Sequence, residues 1–383
     1  MTFKTVISKN IARFALFAGI VLSMSAPLTS CDAVYDDKDL EECEMGVSLR
    51  FVYEYNMLRA NAFAPEVDCI TVFIFDENNR FVRSITEHSD ILKDPDYTMP
   101  VELNPGVYNF VVYGGLSCDN PAFNFAPDWI NSHGSGTIDD ILVTLPRSAS
   151  GVSNKKLHDL DARTGGLFYG TLQVKIDELN DFNGVNRHVE TVYLMKDNNN
   201  IHVTLYELSN PADMDVNHYS FKILDDNFAL DGNNNKVSQI TDSYQTSYEP
   251  YLTDTRLLGY VSGRADEQMP AYMGIAELST SRLFDAHSQS ARLIVTTNRE
   301  HNDDGSDKKI IDIPFISYLT TTRTDAANWI KGDPEKGITA NQEFLDRESN
   351  WHMTFVLQKD RWVYVDITVE NWTVRVNNAE LSN

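Results

Sequence analysis

The sequence offers few residue patterns that could support metal binding or catalysis. Asp213, Asp215 and Asn217 have the spacing of the first ligands in an EF-hand calcium loop. However, His218 stands where that loop needs glycine, and Leu224 stands where it needs a bidentate glutamate. These departures favour a solvated turn over a calcium site.

Motifs for nucleophilic catalysis and phosphate binding are missing from the sequence. It contains no G-x-S-x-G elbow, no H-E-x-x-H pair and no phosphate-binding loop. His158 and Asp159 are adjacent, but no serine or cysteine nearby is placed as a nucleophile. Acidic residues are so numerous that a pair of them carries little information. We therefore expect a protein that is not an enzyme and that uses no cofactor or metal.

Cys31 has the sequence context of a lipidated cysteine. A basic start is followed by the apolar stretch FALFAGIVLSMSA (residues 14–26), which is shorter than the roughly 18 apolar residues of a membrane-spanning helix. Residues 1–30 are therefore interpreted as a signal peptide, and LTSC (residues 28–31) resembles the bacterial lipobox. In that interpretation Cys31 becomes the lipidated N-terminus of an acidic tether, residues 31–43. The alternative is ordinary secretion, with Cys31 as a plain thiol.

The charge of the chain limits the partners that it can bind. The formal net charge is −24, and the leader that would be removed is basic. Such an acidic surface repels nucleic acid and anionic lipid headgroups. Membrane attachment would therefore have to come from the lipid on Cys31. Apart from Cys31, the chain contains Cys43, Cys69 and Cys118. Because Cys69 lies in an apolar strand pattern, we expect it to be a buried thiol and prefer a disulfide between Cys43 and Cys118.

Strand patterns dominate the rest of the chain. VSLRFVYEY (residues 47–55) alternates between apolar and mostly polar residues, and VDCITVFIFDENNRFV (residues 67–82) has the pattern of a hairpin. Short helices are predicted only in TDAANWIKG, capped by Thr324, and in NQEFLDRES, capped by Asn341. Many short strands separated by Asn, Asp and Gly turns indicate an all-β protein built from sandwiches with short helical decorations. The polar run KDNNN (residues 196–200) is the preferred domain boundary, which gives an N-terminal β-sandwich domain over residues 44–197 and a C-terminal one over residues 198–383.

Several ordered segments together resemble a known family. They include SCDAVYDD, LRFVYEYNMLRANAF, VDCITVFIFDENNRFV, LNPGVYNFVVYGGL, VYLMKDNNNIHVTL, NQEFLDRE and VENWTVRVNN. The chain is similar to the lipid-anchored fimbrial anchor subunits of Bacteroidales type V pili, also called fimbrillin-associated anchor proteins. The resemblance implies two transthyretin-like β-sandwich domains, attachment to the outer membrane through Cys31, display on the cell surface, and binding of a stalk pilin at the base of a pilus. It also implies that the acidic run is a surface-export signal; its residues are Asp36, Asp37, Asp39, Glu41 and Glu42.

The end of the chain is the predicted pilin junction. Val363, Val365, Ile367 and Val369 form one apolar face of a terminal strand that continues towards Trp372. An unpaired strand edge is a template for another chain, so this strand or the edge beside it is expected to dock the pilin. Two other functions stay open. A surface glycan-binding lipoprotein would show a cluster of exposed aromatic side chains, and a hydrolase would show a buried carboxylate pair or a nucleophile next to a base.

Overall fold

The computed structural model describes residues 45–119, 121–126, 136–145, 166–177, 187–237, 246–262 and 268–378, all within one compact unit. In these ranges the chain forms β-strands joined by turns, with a few short helices. The predicted all-β class is confirmed. The predictions for Cys31, Cys43 and the acidic run fall outside the described residues.

The strands are numbered in chain order. Those before residue 198 are β1 (Gly46–Val52), β2 (Ile70–Asp76), β3 (Phe81–Glu87), β4 (Met99–Glu102), β5 (Gly106–Gly114), β6 (Asn124–Ala126), β7 (Leu142–Thr144), β8 (Phe168–Ile176), β9 (Arg187–Tyr193) and β10 (Met195–Lys196). Those that follow are β11 (Asn198–Glu207), β12 (Tyr219–Asp225), β13 (Ala229–Asp231), β14 (Thr246–Tyr248), β15 (Leu252–Ser262), β16 (Gln268–Ser281), β17 (Arg292–His301), β18 (Asp307–Pro314), β19 (Asn350–Gln358), β20 (Arg361–Val369) and β21 (Trp372–Asn377). The α-helices are α1 (Phe63–Glu66), α2 (Phe315–Thr321), α3 (Arg323–Ala326) and α4 (Ala340–Arg347).

Among the described residues these strands form five sheets, here named A to E. In order across each sheet, sheet A is β4-β1-β9, sheet B is β10-β8-β5-β2-β3, sheet C is β15-β16-β11-β19-β20-β21, sheet D is β14-β12-β17-β18 and sheet E is β13-β7-β6. β1 pairs in parallel with β9, and β11 pairs in parallel with β19, whereas the other strand pairs recorded are antiparallel. Sheets A and B share one hydrophobic core, and sheets C and D share another. This is the arrangement of packed β-sandwiches.

Strand β2 of sheet B is covered on both faces. Val72 and Ile74 of β2 belong to the core shared with sheet A, whereas Phe73 and Phe75 belong to the core that continues into sheets C, D and E. Phe73 stacks on Phe125 of β6, with ring centroids 4.8 Å apart. A strand buried on both faces has a continuous apolar sequence, which explains why ITVFIF does not alternate.

The sequence on either side of residue 197 is joined by packing and hydrogen bonds. β13, from the second half of the chain, pairs with β7 of the first half, with Leu230 opposite Val143. The run KDNNN was expected to be a polar connection, but residues 197–200 are buried, and β11 begins at Asn198. That expectation was wrong because the asparagine side chains replace water as hydrogen-bond partners: Asn199 accepts a bond of 3.0 Å from the Trp351 indole. The domain boundary between residues 197 and 198 stays a prediction.

The structure pairs Cys118 with Cys69, so the preferred Cys43–Cys118 disulfide was wrong. The two Cα atoms are 5.7 Å apart. The strand register explains the pairing. β2 and β5 are antiparallel with Ile70 opposite Gly114, so the residue before β2 lies beside the loop that follows β5. The loop after β5 begins at Gly115 and passes close to the Gly166 backbone. The φ of Gly115 is +83°, and a Cβ there would lie 1.8 Å from the Gly166 carbonyl oxygen, so the position requires glycine.

The two predicted helical segments do contain helices, α3 and α4. For α4 the N-cap is Thr339 rather than the predicted Asn341, because the Thr339 hydroxyl accepts a 3.0 Å hydrogen bond from the Gln342 backbone N–H. Asp215, from the EF-hand-like spacing, accepts hydrogen bonds from the backbone and side chain of Asn217. Its carboxylate therefore stabilises a turn.

Candidate functional site

The predicted terminal strand is two strands, β20 and β21, joined at Glu370 and Asn371. β20 is paired on both sides, with β19 and with β21, so it has no free edge. Val365, Ile367 and Val369 are fully buried in the core between sheets C and D. The sequence pattern identified this apolar face correctly, but these side chains cannot contact a partner while the sheet is intact.

Val363 differs from the other residues of the predicted face. The β19–β20 register shifts between Val356 and Leu357, which places Trp362 in the core and leaves Val363 half-buried. Such a bulge changes which side chains face inwards, and the alternation in the sequence does not reveal it. In the described structure β20 therefore offers no free edge, and the outermost strand at this end of sheet C is β21. The pilin junction at the terminal strand or the edge beside it stays a prediction.

β21 is fastened to β20 by its side chains. Arg375 makes two hydrogen bonds of 2.7 Å to the Asp366 carboxylate, and its guanidinium lies 3.9 Å from the centre of the Tyr364 ring. At the end of the strand, Asn378 donates from its backbone to Val363 and from its side chain to Trp362. These contacts hold the edge in one register, which keeps its outer side available for pairing.

The core-facing side of β21 is only partly covered. β18 is the outermost strand of sheet D on this side, and it packs near β20. Trp372, Val374 and Val376 continue the inward-facing row opposite Val369, Ile367 and Val365. Trp372 is 55% exposed, and the two valines are half-buried. In the part of the chain that the structure describes, β21 therefore combines main-chain groups that have no strand partner on their outer side with incompletely buried apolar side chains, the two features that an added strand would satisfy.

The opposite edge of sheet C also carries exposed apolar side chains. β15 pairs only with β16 in the described structure, and its register shifts between Leu257 and Gly259. Leu257, Leu258 and Tyr260 are largely exposed. β15 also carries an exposed charged pair, Asp254 with Arg256 at 2.9 Å, of the kind that protects natural edges from unwanted pairing.

A buried polar network joins the two halves of the chain. Arg282 makes a bidentate ion pair with Asp346, at 2.8 and 2.9 Å, and it also donates to the Asn234 carbonyl oxygen at 2.5 Å. The Asn234 side chain donates to Asp197 at 2.9 Å. The Tyr169 hydroxyl donates to the Gly232 carbonyl oxygen at 3.0 Å. The turn at residues 231–235 is thus fixed to β8 and to Arg282.

Burial shifts the pKa values of two carboxyl groups near the start of β11 and β19. Burial raises the pKa of Asp197 to about 7, although nearby Arg282 and Asn234 lower it. Burial likewise raises the pKa of Glu348 to about 7, opposed by backbone hydrogen bonds from Asn350 and Ser349. Burial alone would lower the pKa of Arg282, but the Asp346 carboxylate raises it above its ordinary range.

One cluster has side chains of the type that hydrolases and metal sites use. His287 Nδ1 lies 2.5 Å from Asp225, and its Nε2 lies 3.4 Å from Asp226. Both ring nitrogens therefore face carboxylates, which leaves neither for a nucleophile. Lys236 already bonds both Asp226 oxygens, at 2.9 and 3.0 Å. These side-chain contacts account for the cluster.

The aromatic cluster expected of a glycan-binding surface does not form within the described ranges. The exposed aromatic side chains there lie on β9, on β15, between α3 and α4, and on β21; they are Tyr193, Tyr260, Trp329 and Trp372. β15 and β21 are opposite edges of sheet C. In the part of the chain that the structure describes, no helix has the length and apolarity needed to cross a bilayer.

Among the described residues the fold is all-β, with packed sandwiches and an incompletely covered edge strand. A family comparison gives the particular group. Residues 40–378 match the model of the fimbrillin-A associated anchor proteins Mfa1 and Mfa2. The match covers most of the chain, and the chain belongs to this family of fimbrial anchor and adhesin-like proteins of the cell surface.

Solved structures support the same fold. A candidate adhesin from Bacteroides thetaiotaomicron is 33% identical and has a TM-score of 0.68; the match covers 88% of this chain and 100% of that one. A candidate polysaccharide binding protein from the same organism is 27% identical with a TM-score of 0.62, over 87% and 98% of the two chains. The fimbrial anchor protein Mfa2 from Porphyromonas gingivalis is 16% identical with a TM-score of 0.58, over 86% and 98%. No curated protein sequence matches the chain.

Proposed function

We propose that this chain is an outer-membrane lipoprotein that holds the base of a fimbria at the cell surface and binds a stalk pilin through β21. The observation that carries the proposal is the half-covered apolar row on β21, an edge strand that pairs only with β20 among the described residues, in a protein of the fimbrial anchor family. Adding a pilin strand to β21 would pair its main chain and cover Trp372 and Val374. Main-chain pairing would supply affinity, and the side-chain row would supply specificity.

The membrane end of the proposal depends on the leader. The basic and apolar stretches and the LTSC sequence support lipidation at Cys31, and several acyl chains would exceed the two signals needed for stable attachment. The acidic run from Asp36 to Glu42 is proposed to direct the lipoprotein to the outer face. In this function the protein performs recognition and anchoring, not catalysis, and it needs no cofactor.

The experiment compares single substitutions at the two edges of sheet C in cells that assemble the fimbria. Trp372→Glu places a charge where the added strand would pack, and Tyr260→Glu is the matched change of an exposed aromatic residue at the opposite edge. Cys31→Ser removes the lipid site. We expect Trp372→Glu cells to display the lipoprotein but release fimbriae into the medium, whereas Tyr260→Glu cells keep them attached.

The readouts separate the parts of the proposal. Labelling with a palmitate analogue should mark wild type and both edge variants but not Cys31→Ser, whose fimbriae should also be released. Release caused by Tyr260→Glu alone would move the junction to β15. Attached fimbriae in both edge variants would contradict docking at sheet C, and labelling of Cys31→Ser would contradict lipidation at that residue.

A further inference from the structure

A groove on the open part of sheet B is lined by six amide side chains, together with apolar and charged residues. Sheet E covers one end of the sheet B face that carries Phe73 and Tyr113. The uncovered end of this face carries Asn109 on β5 and Thr171 and Gln173 on β8. The turn that contains Asn233, Asn234 and Asn235 forms a wall, and Asn79 lies at the far side. The cavity has a volume of about 790 Å³. That size is ordinary for a small-molecule site.

The amides are held in fixed orientations. The Asn109 side chain donates to the Asn79 side chain at 2.8 Å, and the Gln173 side chain donates to Asn109 at the same distance. Asn109 and Gln173 are directly opposite each other on paired strands, so the sheet itself sets their spacing. Groups that are placed before a ligand arrives lose little entropy when it binds.

Asn234 supplies an independent sign of a missing ligand group. The residue is only 2% exposed and lines the groove, yet its Oδ1 atom has no hydrogen-bond partner among the described residues. Its Nδ2 is occupied by Asp197, and its backbone carbonyl by Arg282. Buried polar atoms normally have a partner, so the vacant acceptor calls for a donor such as a hydroxyl group.

The geometry points to a binding site for a neutral oligosaccharide. Amide side chains both donate and accept hydrogen bonds, as sugar hydroxyl groups do. Met195, Tyr169 and Ile338 provide apolar surface in the same groove for the C–H faces of sugar rings. The site would give the anchor a second activity, contact with a glycan, that is separate from attachment of the pilin.

Two other ligand classes fit the groove less well. An extended peptide would need a free strand edge; β5 is paired on both sides, whereas β8 is paired with β10 only at Phe168 and Tyr169, so the peptide probe in the test below addresses this class directly. An anion needs an available cation, but Arg282 is engaged by Asp346, and Lys336 lies 3.3 Å from Asp333. The formal net charge of −24 also opposes an anion.

The test uses the purified full chain on an array of neutral oligosaccharides, followed by calorimetric titration of the strongest hit. The variants are Asn109→Ala with Gln173→Ala, which removes two amides, and Thr171→Arg, which blocks the groove from an exposed position. Gln358→Ala, an exposed strand amide of sheet C, is the control. A sulfated tetrasaccharide and an unstructured peptide are probed in parallel, and thermal unfolding verifies that each variant is folded.

We expect at least one neutral oligosaccharide to bind with a dissociation constant below the millimolar range. Both groove variants should weaken it about tenfold or more, and Gln358→Ala should leave it unchanged. Thr171 is exposed, and Thr171→Arg removes only its hydroxyl contact with Tyr169 while adding bulk to the groove; if thermal unfolding shows that this variant is folded, its result stands even when the amide double variant is unstable. Absence of neutral binding, binding that survives Thr171→Arg, or a preference for the sulfated probe or the peptide would each overturn the inference.

Discussion

Asp197→Asn should change how the stability of the protein depends on pH. Asp197 is fully buried just before β11; one carboxylate oxygen accepts from Asn234, and the other has no hydrogen-bond partner in the described ranges of the chain. Burial raises the pKa of this carboxyl group to about 7. The substitution keeps the shape and the acceptor for Asn234 but removes the charge that burial disfavours.

The sign follows from proton binding. The folded protein holds the Asp197 proton up to about pH 7, whereas the unfolded chain releases it near pH 4. The contribution of the protonated group is therefore fully present below about pH 4 and is lost as the pH rises to about 7. Between about pH 5 and pH 8, this single group should lower the free energy of unfolding by about 2–3 kcal/mol. Glu348 should contribute a loss of the same sign over the same range.

The assay is urea unfolding of the full chain at a series of pH values from 5 to 8. We expect Asp197→Asn to be more stable than wild type at pH 8 and to have a flatter pH profile by roughly the amount given above. Asp303→Asn, an exposed residue in the β17–β18 connection, is the control and should keep the wild-type profile. A wild-type profile in Asp197→Asn would show that Asp197 ionises in the folded state as easily as in water, which would refute the argument from burial.

Two further predictions concern covalent and electrostatic links. Cys118→Ser should lower the free energy of unfolding by about 3–4 kcal/mol, since the disulfide closes a loop with a sequence separation of 49. Non-reducing peptide mapping should recover Cys69 linked to Cys118, and a Cys43–Cys118 peptide would contradict the pairing. Arg282→Met should lower the free energy of unfolding by about 3–5 kcal/mol, because it leaves the Asp346 charge buried without its partner. The double variant with Asp346→Leu should recover most of this loss in the same urea assay. No recovery would mean that Arg282 acts mainly through Asn234.

Sequence patterns predicted what lies on each face of a strand better than what lies beside it. Val365, Ile367 and Val369 alternate with more polar residues because one side of β20 is buried. This alternation can be recognised within a short stretch of sequence. Whether β20 is an edge depends on pairing with β19 and β21, and that pairing was not visible in the pattern. The sequence did contain one signal of the turn, the polar pair Glu370–Asn371 between two apolar runs. In the structure this pair separates β21 from β20, and Glu370 has a φ of +52°.

The KDNNN run and the cysteines were misinterpreted for a related reason. Polar residues are usually exposed, so Asp197 and the three asparagines looked like a linker. They are buried because their amides bond to groups far away in sequence, such as Leu167 and Trp351. Cys69 was correctly expected to be buried, but its partner follows from the β2–β5 register, which a single sequence does not give.

The placement of β1 bears on how the proposed anchor would carry load. The tether would enter the described fold at Gly46, and β1 is the central strand of sheet A, paired along its whole length with β9 and also with β4. A pull along β1 therefore loads many hydrogen bonds at once instead of opening them one by one.

At the other end, a load on β21 reaches the first half of the chain through the β13–β7 pairing, the shared core and the Arg282 network, and not through the peptide link at residue 197 alone. An anchor whose halves were joined only by a flexible linker would concentrate the load there, so the packing across residue 197 suits the proposed function.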